Sequence, residues 1–517
     1  MIWSLLIVVG ASYALYYAYS AWWKPMTIIR SFRKQGVPFA GCFRTNQFDV
    51  VHSKFGKISH DISPMVDAWV HEQITKYGDT FLIMAREGFK LITLDPTLVQ
   101  EIQFNQNTFG KMTVHWIMTY VIGGIAFLNG EKWRKHRSIM NAAFHTDKLK
   151  VLALGAFLAS SETNYVLFQD MMPSFVPACK ELVDKWDQTM GDKESFEIDV
   201  NSEFVDLAGD AISRAAFGSN LTESKRILRL QTEQNDNFIR LTKCYNWFEA
   251  IKLLIKLWKI YWETYRLIGA MVDEREEALL TKKEAGHDLL TLLLKSNAKH
   301  RADDRKGKPR PLTRTEIIME CKFFYFAGQE STANVLSWTL VLLGENQDWQ
   351  ERARNEVLNT LGRTNKPTFN QLKSLKIVNM VLLEVLRLYP PAPIFRCSLS
   401  DGKLRDLKIP HGVFVESPLY VVHRDKRYWG DDAMEFNPER FANGVSMASK
   451  DQLAYFPFGN GPRICLGQNF AMIEAKVGLT LILQRFAVKI SPSYTHAPFL
   501  HLTLRPRYGA PVLLRRL

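Results

Sequence analysis

The sequence predicts a mainly α-helical chain with a minor β portion, preceded by one apolar N-terminal helix. Three observations predict it. Residues 2–23 carry no charge and are largely apolar. From about residue 130 to 390, apolar side chains recur at i, i+3 and i+4, the period of a helix with one buried face. Short β-rich runs are confined to residues 80–98, to the stretch after Pro390 and to the tail beyond about residue 485.

The N-terminal run is long enough to cross a hydrocarbon core of ~30 Å as a helix. Tyr13, Tyr16, Tyr17, Tyr19, Trp22 and Trp23 crowd its second half, and Lys24, Arg30, Arg33 and Lys34 follow. A cleaved signal peptide is the alternative, but its positive charge would precede the apolar run. The positive flank places the remainder on the cytoplasmic side. The expected organisation is an anchor over 1–23, a basic and Pro/Gly hinge over 24–40, and one catalytic domain over 41–517. Gly36 and Pro38 would stiffen the hinge, and no Ser/Gly linker divides the rest. Phe81–Met84 and Phe89–Leu94 flank Arg86-Glu87-Gly88 and read as a hairpin. His300–Pro311 interrupts the helical region as a solvated loop. Thr313 and Glu316 form a capping box for a helix from about 315 to 345, and another helix is expected over 466–485.

The 517 residues are 47% hydrophobic, ample for a large core. A net charge of +13 suits an acidic membrane surface or an acidic protein partner. No nucleic-acid partner is expected, because no basic motif with interleaved aromatics occurs. The six cysteines are scattered without a CxxC pair. That pattern argues against a disulfide framework or a structural zinc site, and suits a reducing compartment with one specialised cysteine.

Four short runs carry chemistry. In Phe458–Gly467 (FGNGPRICLG), Cys465 precedes a helix start, where amide groups stabilise a thiolate. Gly461 and Gly467 permit turns and close approach, and Arg463 can face an anion. A lone cysteine is more often a buried structural thiol. In Phe323–Thr332 (FFYFAGQEST), Gly328 costs ~1 kcal/mol inside a helix and needs a reason. A gap there would leave room for O2, with Glu330 and the Ser331 or Thr332 hydroxyl relaying protons; a polar patch on a core helix is the plain alternative. Glu384 and Arg387 share a helix face; exposed, such a pair is worth little, but its apolar surroundings imply burial and a third partner. In Gly130–Arg137 (GEKWRKHR), Trp133 and Arg137 can present two donors on one face, leaving Lys132, Arg134 and Lys135 outward.

The spacing F-x-x-G-x-R-x-C-x-G resembles the haem-binding loop of the cytochrome P-450 family. The other runs resemble that family's motifs in the same order: W-x-x-x-R at Trp133 and Arg137, A-G-x-D/E-T at Ala327–Ser331, E-x-x-R at Glu384 and Arg387, and P-E-R-F at Pro438–Phe441. The resemblance covers essentially the whole chain and implies the cytochrome P-450 fold. It implies that Cys465 ligates the iron of haem b, with Phe458 packed near the sulfur and Gly461 in the cofactor-binding loop. Arg463, Trp133, Arg137 and, less specifically, Arg396 would reach the propionates. Glu330, Ser331 and Thr332 would form the proton relay; Ser331 stands where threonine is usual and lacks the methyl that stiffens it. Glu384, Arg387 and Arg440 would be architecture behind the haem.

Gly130–Lys150, Gly467–Ala471 and Ser491–Pro498 look like the plant clan that includes secologanin synthase and the brassinosteroid and gibberellin hydroxylases. The resemblance implies a monooxygenase in the endoplasmic reticulum membrane. NADPH would supply electrons through a reductase, with cytochrome b5 as a further donor, and one oxygen atom would enter a hydrophobic small molecule. An isoprenoid (terpenoid or steroid) is expected ahead of a fatty acid. Lys132, Arg134 and Lys135 would form a docking patch for the acidic donor. The pocket would draw on Thr113–Phe127, Phe323–Ala327, Pro391–Phe395 and Phe499–Leu502. Two rivals stand beside this: a haem-thiolate isomerase or dehydratase acting without O2, against which the acid–hydroxyl pair argues, and a haem-binding sensor or carrier without turnover.

Overall fold

The computed structural model describes residues 23–42, 58–85, 87–111, 122–144, 163–218, 221–242, 244, 246–281, 288–302, 310–500 and 502–517. The expected anchor lies outside the described residues except for Trp23, as do residues 303–309 of the charged loop. Among the described residues, no helix is long and apolar enough to cross a membrane.

Residues 24–40 differ from the expected hinge. Lys24–Lys34 is a helix with Pro25 in its first turn, where the missing N–H leaves no bond unmade. Ile28 and Phe32 are buried against Leu404, Ile409 and Val413. After Gly36 (φ +80°), Phe39–Cys42 pairs parallel with Thr80–Ala85. Apolar side chains on one face dock this segment onto the rest of the described chain.

The β portion is minor. A six-stranded sheet runs in the order Phe39–Cys42, Thr80–Ala85, Gly88–Thr93, Phe414–Ser417, Ile394–Ser398 and Phe109–Gly110. Its second and third strands are the hairpin expected around residues 86–88. A second sheet holds an element the helical pattern hid. Ser195–Asp199 pairs antiparallel with Pro511–Arg516, which pairs with Phe486–Ile490. Its partner lies some 300 residues away, beyond the reach of any local periodicity.

Helices form the bulk. The central helix Arg314–Glu345 starts at the expected capping box: Glu316 N donates to Thr313 Oγ1 (3.2 Å) and Thr313 N to Glu316 Oε2 (2.7 Å). Beyond its first turn it is buried nearly all round, as a helix enclosed by a large core must be. It packs against Val200–Phe217, Lys376–Leu388 and the C-terminal helix Gln468–Arg485. Trp338 stacks on Tyr389 at 4.3 Å and donates to Leu504 O (3.1 Å), tying the helix to the tail.

Glu384 and Arg387 lie fully buried on Lys376–Leu388. Arg387 grips the carboxylate with two bonds, Nε to Oε2 (2.7 Å) and Nη2 to Oε1 (2.8 Å). Its remaining donors reach His423 O (2.8 Å), Ala433 O (2.7 Å) and Glu435 O (2.9 Å). Asn437 N donates to Glu384 Oε1 (2.9 Å). The expected third partner, Arg440, approaches Glu384 only to 3.5 Å. Its hydrogen bonds go to Asp432 Oδ1 (2.9 Å) and Trp429 O (3.0 Å). The buried pair is therefore completed by backbone groups, which pin the loop of residues 423–437 to the helix. Arg387→Leu should destabilise the fold by about 3–5 kcal/mol, because it strands a buried carboxylate; denaturant unfolding measures this.

Candidate active site

Cys465 sits between the turn Gly461–Arg463 and the helix Gln468–Arg485. Cys465 N donates to Phe458 O (2.9 Å), closing the loop. Gly459 and Gly461 have φ of +71° and +67°. A Cβ at Gly461 would stand 3.1 Å from Gln103 O. Gln103, buried on the helix Pro96–Phe104, accepts from Asn460 N at 2.6 Å. Close approach thus demands glycine at 461. It does not at 467, where φ is −88° and nothing lies within 4 Å of an added Cβ. The Cys465 side chain is exposed but has protein packed closely around it. It lines a recess rather than the outer surface. Burial pushes its thiol up, with the Gly467 amide and Arg137 acting the other way.

Cations gather around this recess. Arg463 Nη2 donates to Leu128 O (2.8 Å) and Asn129 Oδ1 (3.1 Å), and its guanidinium lies 4.4 Å from the buried Trp133 ring. Burial, then Arg396 and Arg137, hold it at about 9. Burial brings Arg396 to about 10 and Arg137 to about 10, the latter partly offset by Cys465. Lys111, which the sequence reading missed, is pushed well down by burial and by the charges of Arg396 and Arg463. The Nε atoms of Arg137, Arg396 and Arg463 are buried without a hydrogen-bond partner. Among the described residues, none of these four cations pairs with a carboxylate. Buried like charges of this kind call for an anionic ligand.

The helix Gly130–Phe144, which carries Trp133 and Arg137, is clamped to the central helix by ions the sequence reading passed over. His136 Nδ1 meets the fully buried Glu320 Oε1 at 2.5 Å, and Glu320 Oε2 accepts from Ile125 N at 3.1 Å. Lys135 is half-buried and donates to Glu316 at 2.7 Å. It therefore leaves the expected outward patch, while Lys132 and Arg134 remain exposed. Burial would raise Glu316, but bonds from Lys135 and Thr313 outweigh it and hold the carboxyl at about 2.

The expected relay residues point three ways. Glu330 Oε1 accepts from Thr503 Oγ1 (2.7 Å), which accepts from Asn334 Nδ2 (2.9 Å). Ser331 Oγ donates to Ala327 O, four residues back, at 2.7 Å. Thr332 is buried beside Glu474 of the C-terminal helix. Burial drives the Glu474 carboxyl well up while the Thr332 hydroxyl draws it down, although no bond of normal geometry joins them. Thr503 left no sequence signal, since a single threonine in a β-rich tail has no periodicity to betray it. The reason for Gly328 also changes. A Cβ there would meet Ile212 Cδ1 and Cγ1 at 2.9 Å, so the glycine allows close packing on Val200–Phe217.

An apolar cluster brings together several of the expected pocket segments. Ile122 and Leu257 are buried with Phe127, Phe238, Leu241, Phe323, Phe326 and Leu502 packed on them. Residues 113–121 lie outside the described residues. Pro391–Phe395 turns elsewhere: Ile394 joins Leu94, Val99 and Phe456, and Phe395 stacks on Phe414 at 5.4 Å. The helix Leu221–Thr242 supplies Phe238 and Leu241, which the sequence reading did not place in this cluster.

A thiol with four cations gathered near it, none paired with a carboxylate among the described residues, defines a site for an anionic ligand beside a cysteine. A profile of the family described as cytochrome P-450 matches residues 57–511. A cytochrome P-450 of Paris polyphylla is 40% identical, covering 96% of this chain and 95% of its own. The 11-oxo-beta-amyrin 30-oxidase of Glycyrrhiza uralensis is 37% identical over all of this chain and 98% of its own. A cytochrome P-450 of Arabidopsis thaliana is 37% identical, with 96% and 94% covered. The chain belongs to the cytochrome P-450 family and is a monooxygenase of that family.

Gly328→Ala should destabilise the protein by about 1–3 kcal/mol through overpacking. Combined with Ile212→Ala it should cost less than the sum of the two single changes. Thermal unfolding of all four proteins in the cycle checks this.

Proposed function

We propose that this chain is a membrane-anchored enzyme that inserts one oxygen atom of O2 into an isoprenoid, a terpenoid or steroid, with electrons from NADPH through a reductase. The observation that carries the reading is the cluster of Lys111, Arg137, Arg396 and Arg463 beside Cys465. The residues fit haem b. Cys465 would hold the iron, and the guanidinium groups of Arg137, Arg396 and Arg463, whose Nε atoms lack partners, would take the two propionates. When bound, the haem supplies O2 chemistry that no side chain can perform.

The chain's own groups do the rest. Trp133, under Arg463, keeps that guanidinium from folding back into the protein. Phe458 and Gly461 set the loop from which the thiol points. The Glu384–Arg387 pair with Arg440 braces the loop behind it. Glu330, held by Thr503, would hold a proton near the pocket, and the Thr332 hydroxyl and the Ser331 hydroxyl, once rotated away from Ala327 O, would pass it on. The cluster around Phe323 and Phe326 would exclude water and hold an apolar substrate.

The isoprenoid reading draws support from the relative whose name is an 11-oxo-beta-amyrin oxidase. The membrane reading rests on the apolar residues 2–23. It is supported by an exposed stripe on the helix Trp247–Leu280: Trp247, Phe248, Ile251, Ile255, Trp258 and Trp262, flanked by exposed Lys252, Lys256 and Lys259. Aromatics beside lysines suit a lipid headgroup region. Exposed Lys132 and Arg134 remain available to an acidic donor, the reductase or cytochrome b5.

Cys465→Ser should abolish the thiolate-type absorption of the reduced CO complex; a normal spectrum from that variant would sink the assignment. Arg463→Ala should lower the haem retained on purification, with protein still folded by circular dichroism. Titration with terpenoids, steroids and fatty acids, read by the haem spectral shift, should favour the isoprenoids.

A further inference from the structure

The apolar cluster has a polar edge with unused hydrogen-bonding capacity. On the helix Leu221–Thr242, Gln231, Gln234, Phe238 and Leu241 recur at i, i+3, i+7 and i+10 and so share one face. Phe238 and Leu241 pack into the cluster with Phe323 and Phe326. Gln231 Nε2 donates to Lys322 O (3.0 Å), the residue before Phe323, which fixes that face against the central helix. Gln234 lies between, about one turn, or ~6 Å, from Phe238 along the axis.

Both glutamines are buried, Gln231 to 4% exposure and Gln234 to 1%. Gln231 Oε1 and Gln234 Nε2 have no hydrogen-bond partner. An acceptor and a donor are thus stranded one turn apart at the pocket's edge. Leaving each unpaired costs about 1–3 kcal/mol, so the arrangement calls for a group that satisfies both. A hydroxyl does this with one oxygen, donating to Gln231 Oε1 while accepting from Gln234 Nε2. A carboxylate cannot, since it has no hydrogen to offer Gln231. The Gln231 orientation is set by its bond to Lys322 O.

We propose that Gln231 and Gln234 form a subsite for a hydroxyl group already present on the hydrophobic substrate. This rests on the reading of the apolar cluster as the substrate pocket. The hydroxyl end is gripped on the helix Leu221–Thr242 and the apolar body lies over Phe323 and Phe326. The enzyme then acts on an oxygenated molecule rather than a bare hydrocarbon, so an earlier oxidation or hydration must supply its substrate.

The test uses the full-length haem-loaded protein and two ligand pairs: a triterpene alcohol with the hydrocarbon lacking its hydroxyl, and a long-chain fatty alcohol with the matching alkane. Dissociation constants come from the haem spectral shift. The wild type should bind the alcohol of a pair about tenfold or more tighter than its hydrocarbon. Gln234→Leu, or Gln234→Met should leucine not fold, should erase that preference by weakening the alcohol and sparing the hydrocarbon. Equal binding of alcohol and hydrocarbon by the wild type overturns the proposal, as does a variant that weakens both ligands alike, the behaviour of a glutamine that merely holds buried water or braces the helix. A preference seen only in the fatty pair would uphold the hydroxyl subsite and overturn the isoprenoid reading. Binding of neither pair overturns both.

Discussion

Like charges withdrawn from water repel strongly unless an anion joins them. Lys111, Arg137, Arg396 and Arg463 come from four separate segments and converge beside Cys465. The protein spends much of its architecture holding them there. Arg463 is flattened against Trp133 and tied to Leu128 and Asn129. Arg137 rides on a helix clamped by His136 to Glu320, and Arg396 sits in a strand of the six-stranded sheet. An arrangement so costly without an anion makes sense as the receptor of a doubly anionic cofactor. It gives the recess beside Cys465 both its sign and its shape.

The central helix divides the labour between its faces. Gly328 lets Val200–Phe217 approach closely. Thr332 looks toward Glu474 on the C-terminal helix, and Glu330 toward Thr503 in the tail. Phe323 and Phe326 look into the apolar cluster. One helix therefore carries close packing, the proposed proton relay and the apolar cluster's Phe323 and Phe326 within about three turns. Ser331 bonds back to its own helix, while no bond of normal geometry joins Thr332 to Glu474.

Much of the fold was legible because local periodicity reports it. The hairpin around residues 86–88, the capping box at Thr313 and Glu316, and the helical bulk all follow from short windows. The failures are equally physical. Ser195–Asp199 is a strand only because Pro511–Arg516 lies beside it. Residues 24–34 dock because Ile28 and Phe32 find a face built from residues 404–413. Lys135 read as an outward charge, but Glu316, far along the chain, captures it. Lys111 stood outside every motif, and only its neighbours make it part of the site.

By itself the sequence determined the helical class, the loop that presents Cys465 and the identity of most of its cationic neighbours, because spacing along one segment constrains which side chains share a face. Only the tertiary structure decided which groups meet. It gave Arg440 to Asp432 more than to Glu384, Glu330 to Thr503, Gly328 to Ile212, and an unpaired donor and acceptor at Gln234 and Gln231 to the helix that packs on the apolar cluster. Hydrogen bonds and close packing act over a few ångströms between residues hundreds of positions apart, and no local pattern encodes that proximity.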